Sequence, residues 1–371
     1  IGWNLHKELF LSDVEWLNTL KLRASIGTTG NQNFQNNKSI AINGYYTADR
    51  YRGAIGSYLQ NMQNPELKWE QKMDYNIGLD AVFMGVDIRM DFYKSITKDL
   101  VSSVGIAPST GFTTVSENLG KVENKGFEIL ASYTPWQSRD GFVRINGSIA
   151  YNKDKILKIS DAMRQFNENQ AALAAMEDQA LPVAQYQDGL SMNTIFAVPS
   201  LGIDPAIGLE MYRKQDGSST YIWRDTDRVP CGVSVPLYRG TVGITGEYKG
   251  IGISITGRYL GGGQMYNSTL VNMVENADIS QNFDRRVLTE RWNHVGHHAF
   301  FKRYKSNTPY DLRNGIYWYS KDGWRQPPTQ STSRFVQDQK EFDISSISVY
   351  YDFKREWIAK IGFERLRLTA L

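Results

Sequence analysis

The chain is 371 residues long, 41% hydrophobic with a mean hydropathy of −0.44. It has no run approaching the roughly 20 apolar residues of a spanning helix, which excludes a helical membrane protein. A formal charge of +3 is too small to argue for nucleic acid, and a lone cysteine, Cys231, excludes an internal disulfide.

Aromatic residues make up 12% of the chain, with 21 Tyr, 9 Trp and 32 Gly. That composition fits a membrane barrel with aromatic girdles, or a soluble β-rich domain. The chain opens in mid-strand, with Ile1, Trp3 and Leu5 alternating with Gly2 and Asn4. With no signal peptide in view, the sequence is expected to be a mature or truncated piece.

Period-2 patterning then recurs along the chain. Strands are expected at 20–27, 75–83, 86–93, 127–133, 143–151, 241–248, 251–259, 346–353 and, more weakly, 364–370. In 86–93, Val86, Ile88, Met90 and Phe92 alternate with Asp87, Arg89, Asp91 and Tyr93. Each run is near the nine to eleven residues of a tilted membrane strand. One helix former, 162–180, interrupts the series, and a slip at Ser345–Ser346 predicts a β-bulge.

Alternation alone suits a sandwich as well as a barrel. Connection lengths separate them. Short links at Met84–Gly85, 135–141, Lys249–Gly250 and 354–361 alternate with long ones at 30–68, 98–119, 157–236 and 262–340. An outer-membrane barrel has short periplasmic turns on one rim and long extracellular loops on the other. Tyr-Lys-Gly at 248–250 reads as a tight hairpin, and Trp136 and Trp357 sit where a periplasmic girdle would lie. The fold class read from this is all-β: a transmembrane antiparallel β-barrel segment with long extracellular loops.

The polar positions Asp87, Arg89, Asp91, Arg144 and Arg258 are expected to face the lumen. Asp87 and Asp91 on one strand read as lumen charges rather than an acid–base pair, so neither a catalytic residue nor a cofactor is expected. His294 and His298 have i, i+4 spacing, but Gly296 between them argues against the helix a zinc site would need. The 304–325 loop gathers Tyr304, Tyr310, Tyr317, Trp318, Tyr319 and Trp324. Such flat faces stack on sugars, anchor a partner or pack on one another. Arg285 and Arg286 are further candidates for substrate or lid contact, with loop hydrogen bonding as the plainer role.

Six stretches carry a resemblance when taken in order: LKLRASIGTTGNQ (20–32), NPELKWEQKMDYNIGLD (64–80), STGFTTVSENLGKVENKGFEI (109–129), AVPSLGIDPAIGLEMYRKQDGSSTYIW (197–223), YRGTVGITGEYKGIGISITGRYLGGGQMYNSTL (238–270) and TSRFVQDQKEFDISSISVYYDF (332–353). Together they resemble the SusC-like family of TonB-dependent outer-membrane transporters. The resemblance implies a 22-stranded barrel plugged by an N-terminal domain, of which residues 1–371 would be the C-terminal half with about ten strands. It implies import of glycan or peptide oligomers, a SusD-like surface lipoprotein as lid, energy from TonB through the plug, and contact with outer-membrane lipid. The rival readings are a soluble carbohydrate-binding or hydrolase domain and a passive porin or adhesin barrel.

Overall fold

The computed structural model describes residues 1–31, 46–51, 54–59, 62–105, 110–112, 114–118, 120–174, 181–277, 282–303, 329–359 and 362–370. Among them, ten strands form one antiparallel sheet in which each strand pairs with its sequence neighbour. The first six are β1 (Gly2–Asn4), β2 (Leu17–Asn31), β3 (Glu70–Phe83), β4 (Val86–Lys98), β5 (Gly120–Gln137) and β6 (Gly141–Ile159). The sheet continues through β7 (Tyr238–Tyr248), β8 (Ile251–Tyr266), β9 (Val336–Asp352) and β10 (Arg367–Ala370).

Register fixes the two faces. Leu22, Leu79 and Met90 stand on one face with Ile129, Ile149 and Ile244, and partner Ile255 and Ile347 farther along the sheet. Exposed apolar residues such as Ile26, Ile77, Phe92, Ile253 and Val349 share this face. A soluble sheet would cover such a surface; a barrel turns it to lipid.

Two aromatic rows bound the apolar band. Near the long loops, Phe92, Phe127, Tyr151 and Tyr238 are successive cross-strand partners, and Tyr259 pairs with Phe342. Near the short turns lie Trp16 against Phe83, Trp136 against Tyr248, and Tyr351 against Phe353. From Phe127 to Trp136 is about 31 Å of strand, or about 23 Å along the membrane normal at a tilt of about 40°. This matches an apolar belt of about 25 Å.

The turns follow from local chemistry. Met84–Gly85 and Lys249–Gly250 have positive φ at both central residues, the primed geometry whose twist suits a hairpin. Loop strands pair with one another: Val101–Gly105 forms a hairpin with Thr114–Asn118, and Thr194–Ala197 pairs with Val229–Val233, with a small three-stranded sheet lying between them in sequence. The helix α1 (Asp161–Ala174) buries Met163 against Leu100, Phe166, Tyr186 and Met192. The predicted bulge is present: Ser345 is skipped between the Thr256–Ser346 and Gly257–Ile344 pairs, and its hydroxyl donates to Thr256 O at 3.0 Å.

Two expectations change. Six of the strands that cross the apolar band run to 14–19 residues, well beyond nine to eleven. Above the aromatic row the outward positions of β5 and β6 become charged and those of β2 and β3 lose their apolar run, so the hydrophobic signal ends while the hydrogen-bond ladder continues. The 135–141 turn shortens to Ser138–Asp140, because Pro135 and Trp136 belong to β5. Pro135, lacking an N–H, sits at the register shift opposite Arg144, where the ladder needs no donor.

Gly252 shows how tightly the inner layer of this wall is packed. A Cβ there would fall 2.0 Å from the Tyr350 ring, whose hydroxyl donates to Glu247 Oε2 at 2.8 Å and whose face carries the Arg367 guanidinium at 4.0 Å. Gly252→Val is expected to destabilise the folded barrel by about 1–3 kcal/mol through overpacking. Gly246→Val, where a Cβ meets nothing nearer than 3.9 Å, is the control. Heat-modifiable migration on gels, read as the temperature at which the compact band is lost, checks this; equal midpoints for both variants would refute it.

Candidate functional site

On the face opposite the apolar band, cross-strand charges form a wired surface. Arg23 of β2 bridges Asp80 of β3 and Asp91 of β4, at 2.9 Å to each. Gly78 between them makes the bridge possible: a Cβ there would lie 2.6 Å from both the Arg23 guanidinium and the Asp91 carboxylate. Arg89 adds contacts of 3.3 Å to Asp91 and 3.8 Å to Asp80 while staying 59% exposed. Along the sheet, Arg258 pairs with Asp343 at 3.1 Å, and Arg144 Nε reaches Thr134 Oγ1 at 3.4 Å. Asp87 is exposed between Val82 and Ser132.

All five residues expected at the lumen therefore share the polar face. Arg23 and Asp80 were missed, although both occupy polar positions in alternating strands. Single-strand patterning cannot show that three strands bring them together.

Toward the long-loop rim, the same face meets the 160–237 connection around a cavity of about 260 Å³. Thr97, Asn124, Asn152 and Asp154 line its wall, with Met192 and Val235 across from them. Asp154 pins the loop down by accepting from Ser191 Oγ at 2.6 Å and from Met192 N at 2.7 Å. Tyr93 donates to Asn152 Oδ1 at 3.0 Å, which fixes that amide. The pocket thus offers fixed amide and carboxylate groups beside apolar surface, a mixture suited to orienting a small polar unit.

Above the wall the long loops have their own core. Leu270, Val271, Val274, Val287, Phe301 and Phe335 pack together. Beside it lies a buried ionic knot. Arg334 donates to Glu210 Oε2 and to Glu275 Oε1, each at 2.7 Å, and to Phe300 O at 2.6 Å. Thr332 donates to Glu210 at 2.7 Å, and the Tyr212 hydroxyl donates to it at 3.3 Å. Burial would raise the Glu210 pKa, but Arg334 outweighs it and holds the carboxyl below its usual range. Burial and the facing carboxylates push Tyr212 up.

Of the loop candidates, Arg286 is spent locally, giving two hydrogen bonds to Asp284 and holding that carboxyl near a pKa of about 2. Arg285 is exposed. Tyr304, Tyr310, Tyr317, Trp318, Tyr319 and Trp324 lie outside the described residues. His294 stacks on His297 with ring centroids 5.1 Å apart, an i, i+3 contact instead of the i, i+4 pair. Among the described residues no group of three His, Cys, Asp or Glu is placed to hold a metal.

Residues 11–187 match the sequence model of the family described as TonB dependent receptor-like, beta-barrel. The TonB-dependent receptor SusC of Bacteroides thetaiotaomicron is 32% identical over 168 residues, 43% of this chain and 17% of SusC. TonB-dependent receptor P39 of Formosa agariphila is 30% identical over 163 residues, 43% of this chain and 16% of that protein. Receptor P3 of the same organism is 24% identical across 99% of this chain and 36% of its own length. The structure of the RagAB peptide transporter superposes on 100% of this chain and 39% of its own, with TM-score 0.75 at 18% identity, a likeness of fold. The chain spans well under two thirds of each of these relatives.

Breaking the knot leaves a charge buried without its partner, which costs about 3–5 kcal/mol. Arg334→Ala should therefore loosen the joint between the 160–237 and 267–335 connections while the strands hold. The readout is hydrogen exchange at Val198 and Ser333, whose N–H groups donate to Ser331 O and Val198 O. Because the Glu210 pKa is lowered in the fold, its stabilisation is present above the unfolded value of about 4.5 and fades as pH falls below it. Protection at Val198 and Ser333 should accordingly be flat from pH 8 to about 5 and fall in more acid buffer; unchanged exchange in the variant would refute the joint.

Proposed function

We propose, on the premise that this chain is an outer-membrane β-barrel of the TonB-dependent receptor kind, that it forms the C-terminal half of a SusC-like nutrient importer. One observation carries the reading. A sheet of sequential strands has an apolar belt of membrane height on one face and a charged, loop-roofed wall on the other. A soluble carbohydrate-binding or hydrolase domain has no use for that belt.

In this reading residues 1–371 supply wall and extracellular loops, while the plug and the remaining strands complete the barrel. The two sheet edges require those strands, since unpaired backbone in hydrocarbon costs several kcal/mol per group. The cargo is an oligomer of glycan or peptide. A SusD-like surface lipoprotein would present it at the long-loop rim, where the cavity beside Asn124 and Asn152 offers the first polar contacts. TonB, acting through the plug, would then open the path. Asp87, Arg89, Asp91, Arg144 and Arg258 would line that path, with Arg23 and Asp80 holding two of them in place. The chain performs no catalysis of its own.

Uptake in whole cells tests this. Cells lacking the gene are complemented with the wild type or with Asn124→Ala/Asn152→Ala, then given fluorescent glycan and peptide oligomers with and without an uncoupler of the proton gradient. The importer reading expects accumulation of one oligomer class that collapses with the uncoupler. It expects the double variant to need about ten times more substrate for the same rate, the loss of one or two hydrogen bonds. Uptake indifferent to the uncoupler would favour a passive pore, and no gene-dependent uptake of either class would overturn the proposal.

A further inference from the structure

The outward face of β4, β5 and β6 carries lysines immediately beyond the aromatic row on the long-loop side. Phe92, Phe127 and Tyr151 stack across the three strands with ring centroids 6.1 and 5.5 Å apart. Two residues farther along each strand, Lys94 lies opposite Lys125, and Lys125 opposite Lys153. Two residues beyond that, Glu123 stands between Ile96 and Lys155. In the next row Lys98 lies opposite Lys121, and Lys121 opposite Lys158.

Like charges directly opposite one another destabilise a sheet. One carboxylate stands among these rows: Glu123 takes Lys94 at 2.7 Å and is shared electrostatically with Lys125 and Lys155. Among the described residues no other ion pair neutralises the lysines of these rows, whose ammonium groups repel one another. Such an arrangement is stable where an external anion is supplied. It is also local. At the same height β3 presents Met73 and Gln71, and Lys340 of β9 is already paired with Asp338 at 3.5 Å. Successive rows are about 7 Å apart along the strand, and neighbouring strands about 4.8 Å apart. Any phosphate lying on this lattice therefore reaches several ammonium groups at once.

We propose that this lysine lattice is a binding surface for the phosphorylated head group of an outer-leaflet lipid of the lipid A type. Position decides among anions. The lattice begins where the apolar belt ends, so a molecule that fills it with phosphate has its acyl chains directly against Phe92, Phe127 and Ile149. A soluble polyanion would gain nothing from that continuity. The inference rests on the barrel orientation with long loops outside, and is independent of what the protein imports.

The full-length protein in phosphatidylcholine nanodiscs is titrated with diphosphorylated lipid A, with the same lipid stripped of its phosphates, and with heparin, and bound ligand is counted by native mass spectrometry. Lipid A is expected to bind and to weaken with salt. The K94Q/K125Q/K153Q variant should bind about a hundredfold less tightly, each lysine at an anionic surface being worth about fivefold. The corresponding triple arginine variant should retain binding, and K340Q should behave as wild type. Equal binding of the phosphate-free lipid, or an unchanged glutamine variant with its heat-modifiable fold intact, would overturn the proposal. So would heparin binding through these lysines in preference to lipid A. The whole-cell uptake assay on the same glutamine variant is scored separately: uptake that persists while lipid binding is lost places the lattice outside the transport path.

Discussion

A polypeptide in hydrocarbon has no water to satisfy its N–H and C=O groups, and that single constraint organises this chain. Each must bond to a neighbouring strand, so strands come in an unbroken antiparallel ladder in which each pairs with its neighbours in sequence. Once the ladder is set, the pleat does the rest. Successive side chains take opposite faces, so apolar residues such as Ile77 and Ile253 stand on one while Arg23 and Asp91 stand on the other. The protein inverts the soluble pattern, and its well-packed apolar core lies outside the belt, in the long loops around Val271 and Phe335.

Charge is handled in three ways at three heights. On the polar wall, carboxylates and guanidiniums are matched across strands, leaving partners such as Arg89 largely exposed. In the loops, Arg334 is buried between two glutamates where water cannot screen it, so the knot is strong only while complete. Above the belt on β4–β6, lysines are left in excess. The contrast is informative, because the same chain neutralises charge wherever it has the means to do so.

What was legible in the sequence is what one strand or one turn encodes. The alternation of 86–93 placed Asp87, Arg89 and Asp91 on a common face, Lys249–Gly250 declared its turn, and the Ser345 slip declared its bulge. Cross-strand facts were not legible, since they depend on register. Nothing in LKLRAS announces that Arg23 will meet Asp91, 68 residues away, or that Gly78 must lack a side chain for it to do so. The lysine rows escaped for the same reason: along each strand they are ordinary polar alternation, and only pairing turns them into a patch. Helix α1 was readable from composition, and the tops of the strands were not, because an outward lysine above the belt looks like the start of a loop.

The joint between Glu210 and Arg334 spans 124 residues, whereas the pairings of β3 with β4, β5 with β6 and β7 with β8 are closed by turns of two or three residues. Hairpins of that kind close quickly because their contacts are local. The knot closes a loop that contains all of β7 and β8, because its two halves flank them. It is therefore a slow contact beside those hairpins, and it ties two loops together across a finished pair of strands. An intermediate with β7 and β8 paired but the knot still open would leave Phe335 without the packing of Val271 and Phe301.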